Sequence, residues 1–350
     1  MIARMLRVLV AGLALLALLA GWALWQYQAA ADQLLQLNDE RLLEVPPGST
    51  PNGLLIRLEQ EGVLADAWWL RLRWRLQFAH GALHSGEYRL HPEMSAGQLL
   101  ALWQRGDVVQ YNLTLVEGWT FAQVRQALAR ADKLQQTLDG LSDADLMRHL
   151  GAKGEHPEGR FFPDTYRYVR GMRDVDLLRQ AYQRLASVLQ EEWQQRAADL
   201  PYADPYQALI MASLIEKETG VAHERAQIAG VFIRRLRIGM PLQTDPTVIY
   251  GMGEAYRGRI TRADLRRPTP YNTYTMRGLP PTPIAMVGRE AIHAALHPQD
   301  GRSLYFVARG DGSHVFSNTL AEHNRAVREY QLKRRADYRS SPAPQPKEAR

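Results

Sequence analysis

Asp204-Pro205-Tyr206-Gln207-Ala208-Leu209-Ile210-Met211-Ala212-Ser213-Leu214-Ile215-Glu216-Lys217-Glu218-Thr219-Gly220 is the stretch around which the rest of the chain is read. Asp204 followed by Pro205 marks a helix start: a carboxylate to cap free N–H groups, then a proline whose fixed φ suits the first helical position. Gly220 is a helix stop. Between them Ala208, Leu209, Ile210, Met211, Ala212, Leu214 and Ile215 are apolar on nearly every side, and a helix apolar all round is a buried one. This predicts a mainly helical unit built around the segment.

The same helix ends in two carboxyl groups, Glu216 and Glu218. The macrodipole disfavours negative charge at a helix C-terminus, and burial acts in the same direction, so both should hold their protons more tightly than usual. A carboxylic acid still protonated near neutral pH is what a general acid requires. Two residues apart, they project roughly 200° from one another and cannot share one site. Glu218 continues the apolar face of Met211 and Leu214, whereas Glu216 lies over Leu209 and Ala212. The residues alone leave open that both finish the helix at the surface, paired with Lys217 or Arg225.

Outward from this helix, the first clear signal is Val8–Trp25, an uncharged apolar run of about 18 residues, the minimum for a membrane span. Arg4 and Arg7 precede it and Asp32 is the first charge after it, which puts the short N-terminus in the cytoplasm. Trp22, Trp25 and Tyr27 fit an interfacial aromatic belt. A cleaved signal peptide ending at Ala29-Ala30-Ala31 is the alternative, but its apolar core would exceed the usual length. Residues 1–28 are therefore read as cytoplasmic N-terminus and anchor.

From residue 40 to 110 a strand, a Ser/Thr-capped turn and an amphipathic helix recur: Leu42–Val45 with Leu54–Glu61, then Gly86–Leu90 with Ala96–Arg105. Val108–Val116 and Phe121–Ala131 form a third copy, and Trp68–Leu76 inserts a helix whose tryptophans are expected in the core. Asp132–Glu158 is expected to be a helical connector, Gly159–Tyr166 an aromatic corner or groove wall, and Val175–Asp199 a long helix. Glu224–Arg237 is amphipathic. Asp245-Pro246 reads as a second cap-plus-proline start, and Thr261–Asp264 as a capping box. Ser303–Ala308 and His314–Ser317 form a hairpin, followed by a helix capped by Asn318 or Thr319 and running to about residue 335. The end of the chain, 337–350, is proline-rich and expected to be a disordered tail.

Several classes of chemistry drop out. With 0 cysteines there is no disulfide, zinc-thiolate site or thiol nucleophile. The net charge of +6 comes from dispersed arginines, with no basic block interleaved with aromatics, so no nucleic-acid partner is expected. His223, His293, His297, His314 and His323 are read as scattered, with no pair at metal-ligand spacing, and neither metal nor cofactor is expected. No GxSxG elbow, Walker loop or dinucleotide fingerprint is present. The turn-rich loops Pro270–Tyr274 and Gly278–Ile284, held on a buried scaffold, are where binding groups usually sit. Gln243, Tyr271, Asn272 and Tyr274 have the mixed polar and apolar faces suited to N-acetylated sugars, although each could equally satisfy its own backbone.

Ala212–Thr219, Leu242–Gly251 (Leu-Gln-Thr-Asp-Pro-Thr-Val-Ile-Tyr-Gly), Tyr271–Tyr274, Gly278–Pro281 and Phe162–Thr165 together closely resemble the MltG/YceG-like endolytic murein transglycosylases. The resemblance covers all but the C-terminal tail. It implies an α+β architecture: a transmembrane helix, a small LysM-like α/β subdomain at 40–110, and a mainly helical catalytic domain with a β-hairpin at 111–336. It further implies a single-pass enzyme of the bacterial inner membrane, its catalytic domain periplasmic, that cleaves nascent peptidoglycan strands within the chain. Such cleavage leaves 1,6-anhydro-N-acetylmuramic acid ends, terminates strand elongation, and brings the enzyme near peptidoglycan synthases (penicillin-binding proteins). The family's catalytic glutamate, the one before threonine, falls on Glu218. Gln243, Asp245, Tyr250, Tyr271, Asn272 and Tyr274 are the expected substrate-binding residues. Glu224, Asp164 and Asp245 are the carboxylates that rival Glu218. A non-catalytic wall-binding protein and a lysozyme-type hydrolase are the alternative functions.

Overall fold

The computed structural model describes residues 1–78 and 83–333; the tail expected at 337–350 lies outside the described residues. Two units emerge, one formed by residues 1–112, 132–135 and 167–173, the other by 113–131, 136–166 and 174 onward.

The first unit begins with α1 (Ile2–Asp32), whose most apolar stretch, with a mean hydropathy of 2.3, has none of its surface buried. Its last turn behaves differently: Ala30 and Ala31 are buried, and Ala30 packs into the unit's core. Then follow β1 (Arg41–Val45), α2 (Pro51–Gln60), α3 (Trp68–Gln77), β2 (Gly86–Leu90) and α4 (Ala96–Arg105). β1 and β2 pair antiparallel, Leu43 opposite Tyr88, so alternate residues of each strand face the core. Local signals fix the helix ends. The Thr50 hydroxyl accepts from Gly53 N–H before a proline, and Ser95 forms a reciprocal capping box with Gln98. Gly106 closes α4 at φ 68°, a left-handed turn that glycine adopts without strain. Trp103, with 0 % exposure, is the largest buried side chain. The tryptophan stripe of α3 is not wholly core: Leu70 is its only buried residue, and Trp68 is 56 % exposed, edge-on to Trp69.

The unit boundary falls within β3 (Gln110–Thr114) and β4 (Thr165–Val169), which pair with each other; the third strand-cap-helix copy therefore does not extend the β1–β2 sheet. The expected helical connector is mostly irregular and holds one short helix.

The second unit contains α5 (Phe121–Ala129), α6 (Asp143–His149), α7 (Asp174–Gln194), α8 (Pro205–Glu218), α9 (Arg225–Arg237), α10 (Asp245–Met252), α11 (Arg262–Arg266) and α12 (Arg289–Leu296). It continues with β5 (Tyr305–Ala308), β6 (His314–Ser317) and α13 (Leu320–Val327), whose Thr319 cap forms a reciprocal box with Glu322. β5 and β6 form the expected antiparallel hairpin. α8 is the centre of this unit: residues 208–215 are all buried, and α7, α9, α10 and α12 pack around them. Phe161, 0 % exposed, stacks on Phe121 at 5.2 Å, so the Gly159–Tyr166 segment is a buried aromatic corner.

Candidate active site

Helix α8 delivers the candidate acid. The Asp204 carboxylate accepts from Gln207 N–H at 2.9 Å, and Pro205 occupies the first helical position. At the other end the chain turns extended at Thr219 (φ −143°), so Glu218 is the last helical residue, one position earlier than a stop at Gly220 requires. Glu218 keeps some exposed surface, yet burial is the main influence on its carboxyl and raises its pKa from 4.5 to about 7. Thr244 Oγ1 donates to Glu218 Oε1 and pulls the other way, the Asp245 carboxylate raises the value, and the Arg235 guanidinium lowers it.

Thr244 is itself held from two sides by residues that also bond to each other. Its N–H donates to Thr273 Oγ1 (3.0 Å), its carbonyl accepts from Thr247 Oγ1 (2.7 Å), and Thr247 and Thr273 share a hydroxyl bond of 2.9 Å. Thr244, Thr247 and Thr273 are 1 %, 0 % and 0 % exposed, which makes this a dry network with fixed directions. The preceding residue, Gln243, sits at φ 52°, a region a non-glycine residue enters only when its surroundings hold it there. Its N–H is tied to Thr273 O at 3.1 Å. From α9, the buried Arg235 donates to the carbonyls of Leu242 (2.7 Å), Pro241 (3.3 Å) and Leu304 (2.6 Å), pinning the segment that carries Thr244. The Asp245-Pro246 start is therefore built differently from that of α8. Asp245 lies inside α10, Thr244 is the N-cap, and its hydroxyl goes to Glu218 instead of capping the helix.

The expected binding residues divide into groups. Asp245 and Tyr274 stand beside Glu218: Tyr274 O–H donates to Asp245 Oδ1 at 2.6 Å, and Glu218 and Asp245 both raise the phenol's pKa, after burial, the larger cause. Gln243 is exposed on the strained turn next to them. Tyr250 and Tyr271 form a second group, their rings edge-on at 4.7 Å, with Tyr271 O–H bonded to Thr282 (2.9 Å). Tyr250 O–H donates at 3.1 Å to Glu158, a buried carboxyl that desolvation raises to about 7 and that also accepts Phe121 N–H. Asn272 turns inward. It is 1 % exposed, its amide nitrogen donates to the carbonyls of Asp264, Leu265 and Arg267, and its oxygen accepts Tyr274 N–H.

The other carboxylates are engaged elsewhere. Glu224 is buried and accepts His314 N–H at 2.9 Å and Nδ1–H at 2.7 Å. Asp164 is exposed and accepts the N–H of its neighbour Thr165. Glu216 accepts Gly288 N–H at 3.2 Å; burial, then the nearby Glu117 carboxylate, raises its pKa. A cavity of about 460 Å³ lies at the opposite end of α8, lined by Asp204, Tyr206, Gln207 and the Gly278–Pro281 loop. Its lining on α8 runs from Asp204 to Ile210, roughly 12–21 Å of helix from Glu218 at 1.5 Å per residue.

Thr244, Arg235 and Glu158 were not legible as site residues. The one available signal was Thr244 directly before the Asp-Pro step. The reading of the histidines as scattered needs correction: His293 and His297 stand four residues apart on and just after α12, and with Glu192 they form a group of three potential metal-binding side chains.

The fold and site define a protein that sets a carboxyl group, raised to about 7 by burial, at the end of a buried helix beside a dry hydroxyl network. That is the arrangement a general acid needs. The chain belongs to the YceG-like family, whose profile matches residues 43–329. It is 30 % identical over 305 residues to a protein of Bacillus subtilis named endolytic murein transglycosylase, covering 82 % of this chain and 84 % of that one. A Streptococcus pneumoniae protein of the same name is 27 % identical over 357 residues, and this chain spans 64 % of its length. Among solved structures, a YceG-like protein from Listeria monocytogenes, in a 2.6 Å crystal structure, superposes with a TM-score of 0.50 at 30 % identity, covering 82 % of this chain and 99 % of that one.

Proposed function

We propose that this protein is an endolytic peptidoglycan lytic transglycosylase in which Glu218 is the sole general acid and base. The observation that carries the reading is the Glu218 carboxyl, raised to about 7 by burial at the end of α8. Protonated, it gives its proton to the glycosidic oxygen as the bond from muramic acid C1 breaks. As carboxylate, it then takes the proton of the muramoyl C6 hydroxyl, whose oxygen closes on C1 to form the 1,6-anhydro ring. One residue serves both steps because the attacking hydroxyl arrives on the leaving-group side. Most glycosidases need a second carboxylate; here the substrate supplies the nucleophile, in the manner of substrate-assisted exceptions. The Asp245 carboxylate supports both steps, making Glu218 a better proton holder before the reaction and a stronger base after it. Tyr274, Gln243, Tyr250 and Tyr271 are proposed to line the glycan path.

In the same reading α1 is an uncleaved single-pass anchor for the inner membrane. It is the one helix, among the described residues, long and apolar enough to cross a membrane. Arg4 and Arg7 before the apolar run support a cytoplasmic N-terminus, with the catalytic part, 111–336, in the periplasm. The β1-α2-α3-β2 unit within 40–110 is proposed to be a LysM-like glycan holder, and cleavage of nascent strands beside a synthase would end their elongation.

The decisive test digests purified sacculi with the full-length protein and identifies the released fragments by mass spectrometry. Anhydro-muramic ends, with cleavage reduced by about 10²-fold or more in Glu218→Gln and far less in Glu216→Gln, are expected. New reducing ends would identify a hydrolase, and no soluble fragments a wall-binding protein; either result defeats the proposal.

A further inference from the structure

We propose that Glu192, His293 and His297 form a binding site for a divalent transition-metal ion of the zinc class, which staples α7 to α12. His293 and His297 are four residues apart, so both imidazoles leave the same side of the helix. Their rings stack at 4.2 Å, and His297 N–H donates to His293 O at 2.8 Å as the helix ends. Glu192 comes from the last turn of α7, is 7 % exposed, and meets His293 Nδ1 with Oε2 at 2.9 Å. One ligand atom from each of the three side chains lies within 4.8 Å of the others.

Two details favour an ion over a plain histidine–carboxylate pair. Glu192 Oε2 and His293 Nδ1 already face each other at 2.9 Å, so an ion between them would replace this one hydrogen bond with two ligand bonds. The pair also leaves His297 unexplained: its Nε2 is buried and has no hydrogen-bond partner. A metal ion is the partner that accounts for the helical spacing, the carboxylate and the orphan nitrogen together. A zinc ion bound here would need imidazole nitrogen and carboxylate oxygen at roughly 2.0–2.2 Å, with a fourth position for water. Two imidazoles in three donors exclude the all-oxygen preference of calcium and magnesium. The local charge is compatible, since Arg289 is shared between Glu192 Oε1 (2.7 Å) and Glu191, so the carboxylates outnumber the guanidinium. Two further histidines are already committed to carboxylates, His314 to Glu224 and His91 to Glu40. α7 and α12 both pack on α8, so the ion would brace two of the helices that hold the helix carrying the candidate acid.

The test uses the full-length protein in detergent, stripped with EDTA and titrated with Zn²⁺ by calorimetry and thermal unfolding, with Co²⁺ absorption reporting the ligand field. One ion per chain is expected, with Tm raised by about 3–6 °C at ten times the Kd. His293→Ala and His297→Gln should each weaken binding by at least about 10-fold, while His223→Ala, at an exposed histidine, leaves it unchanged. Metal-free Tm and circular dichroism of each variant separate lost binding from lost folding. Absence of saturable binding in the wild type, or binding that survives in both folded variants, overturns the site.

Discussion

Thr244→Val is the most informative single change, because it keeps a β-branched side chain of nearly the same shape and removes only the hydroxyl that donates to Glu218. That bond favours the charged carboxylate, so its loss raises a pKa already at about 7. A hydrogen bond to a charged group contributes about 1.5–3 kcal/mol, and one pKa unit corresponds to about 1.4 kcal/mol, so the expected rise is roughly one to two units. A general acid works only while protonated, so activity falls as pH rises through its pKa. The alkaline limb of kcat/KM should therefore move up by that amount in Thr244→Val. Below the wild-type pKa, where both proteins hold the proton, the variant should be slower, because the acid has lost its orienting partner. Thr244→Ser, which restores the hydroxyl, should return both the limb and the rate towards wild type. Fragment release from sacculi between about pH 5 and 9, counted by liquid chromatography, reads the profile. A folded Thr244→Val protein whose alkaline limb coincides with that of the wild type would refute the assignment of Thr244 to Glu218 and weaken that of Glu218 to the acid.

The same carboxyl predicts a stability signature. A folded-state pKa raised from 4.5 to about 7 means stability fully present below pH 4.5 and lost as pH rises through 7, so Glu218→Gln should match the wild type in acid and exceed it at pH 8. The shift of 2.5 units (7 minus 4.5) bounds the gain at about 3 kcal/mol, less for the carboxyl's residual exposure, and Tm measured across pH checks it. Asn272→Ala removes the buried amide that ties the carbonyls of Asp264, Leu265 and Arg267 together and should lower stability by about 1–3 kcal/mol in denaturant titrations; a change confined to KM would make Asn272 a binding residue instead. The mature protein should resist carbonate extraction from membranes and keep its own N-terminus. A sequence beginning near Ala31 or Asp32 would show that α1 is cleaved.

Much of the fold was legible because its signals are local. Asp204-Pro205, Ser95 with Gln98 and Thr319 with Glu322 act within one helical turn, and the anchor is an unbroken apolar run. That a buried helix ends in two carboxyl groups, Glu216 and Glu218, was legible for the same reason, since both belong to one segment; the preference for Glu218 came from the family resemblance. What surrounds Glu218 was not. Thr244 finds it across 26 residues of sequence, His314 occupies Glu224 across 90, and His293 meets Glu192 across 101. A threonine before Asp-Pro reads as a cap until packing brings a carboxyl nearer than the helix's own N–H groups. Asn272 reads as a sugar ligand until the loop folds over it and brings the carbonyls of Asp264, Leu265 and Arg267 to its amide. Hydrogen-bonding side chains have no fixed partner in an extended chain. Burial decides which partners remain once water is gone, and burial is a property of the packed unit.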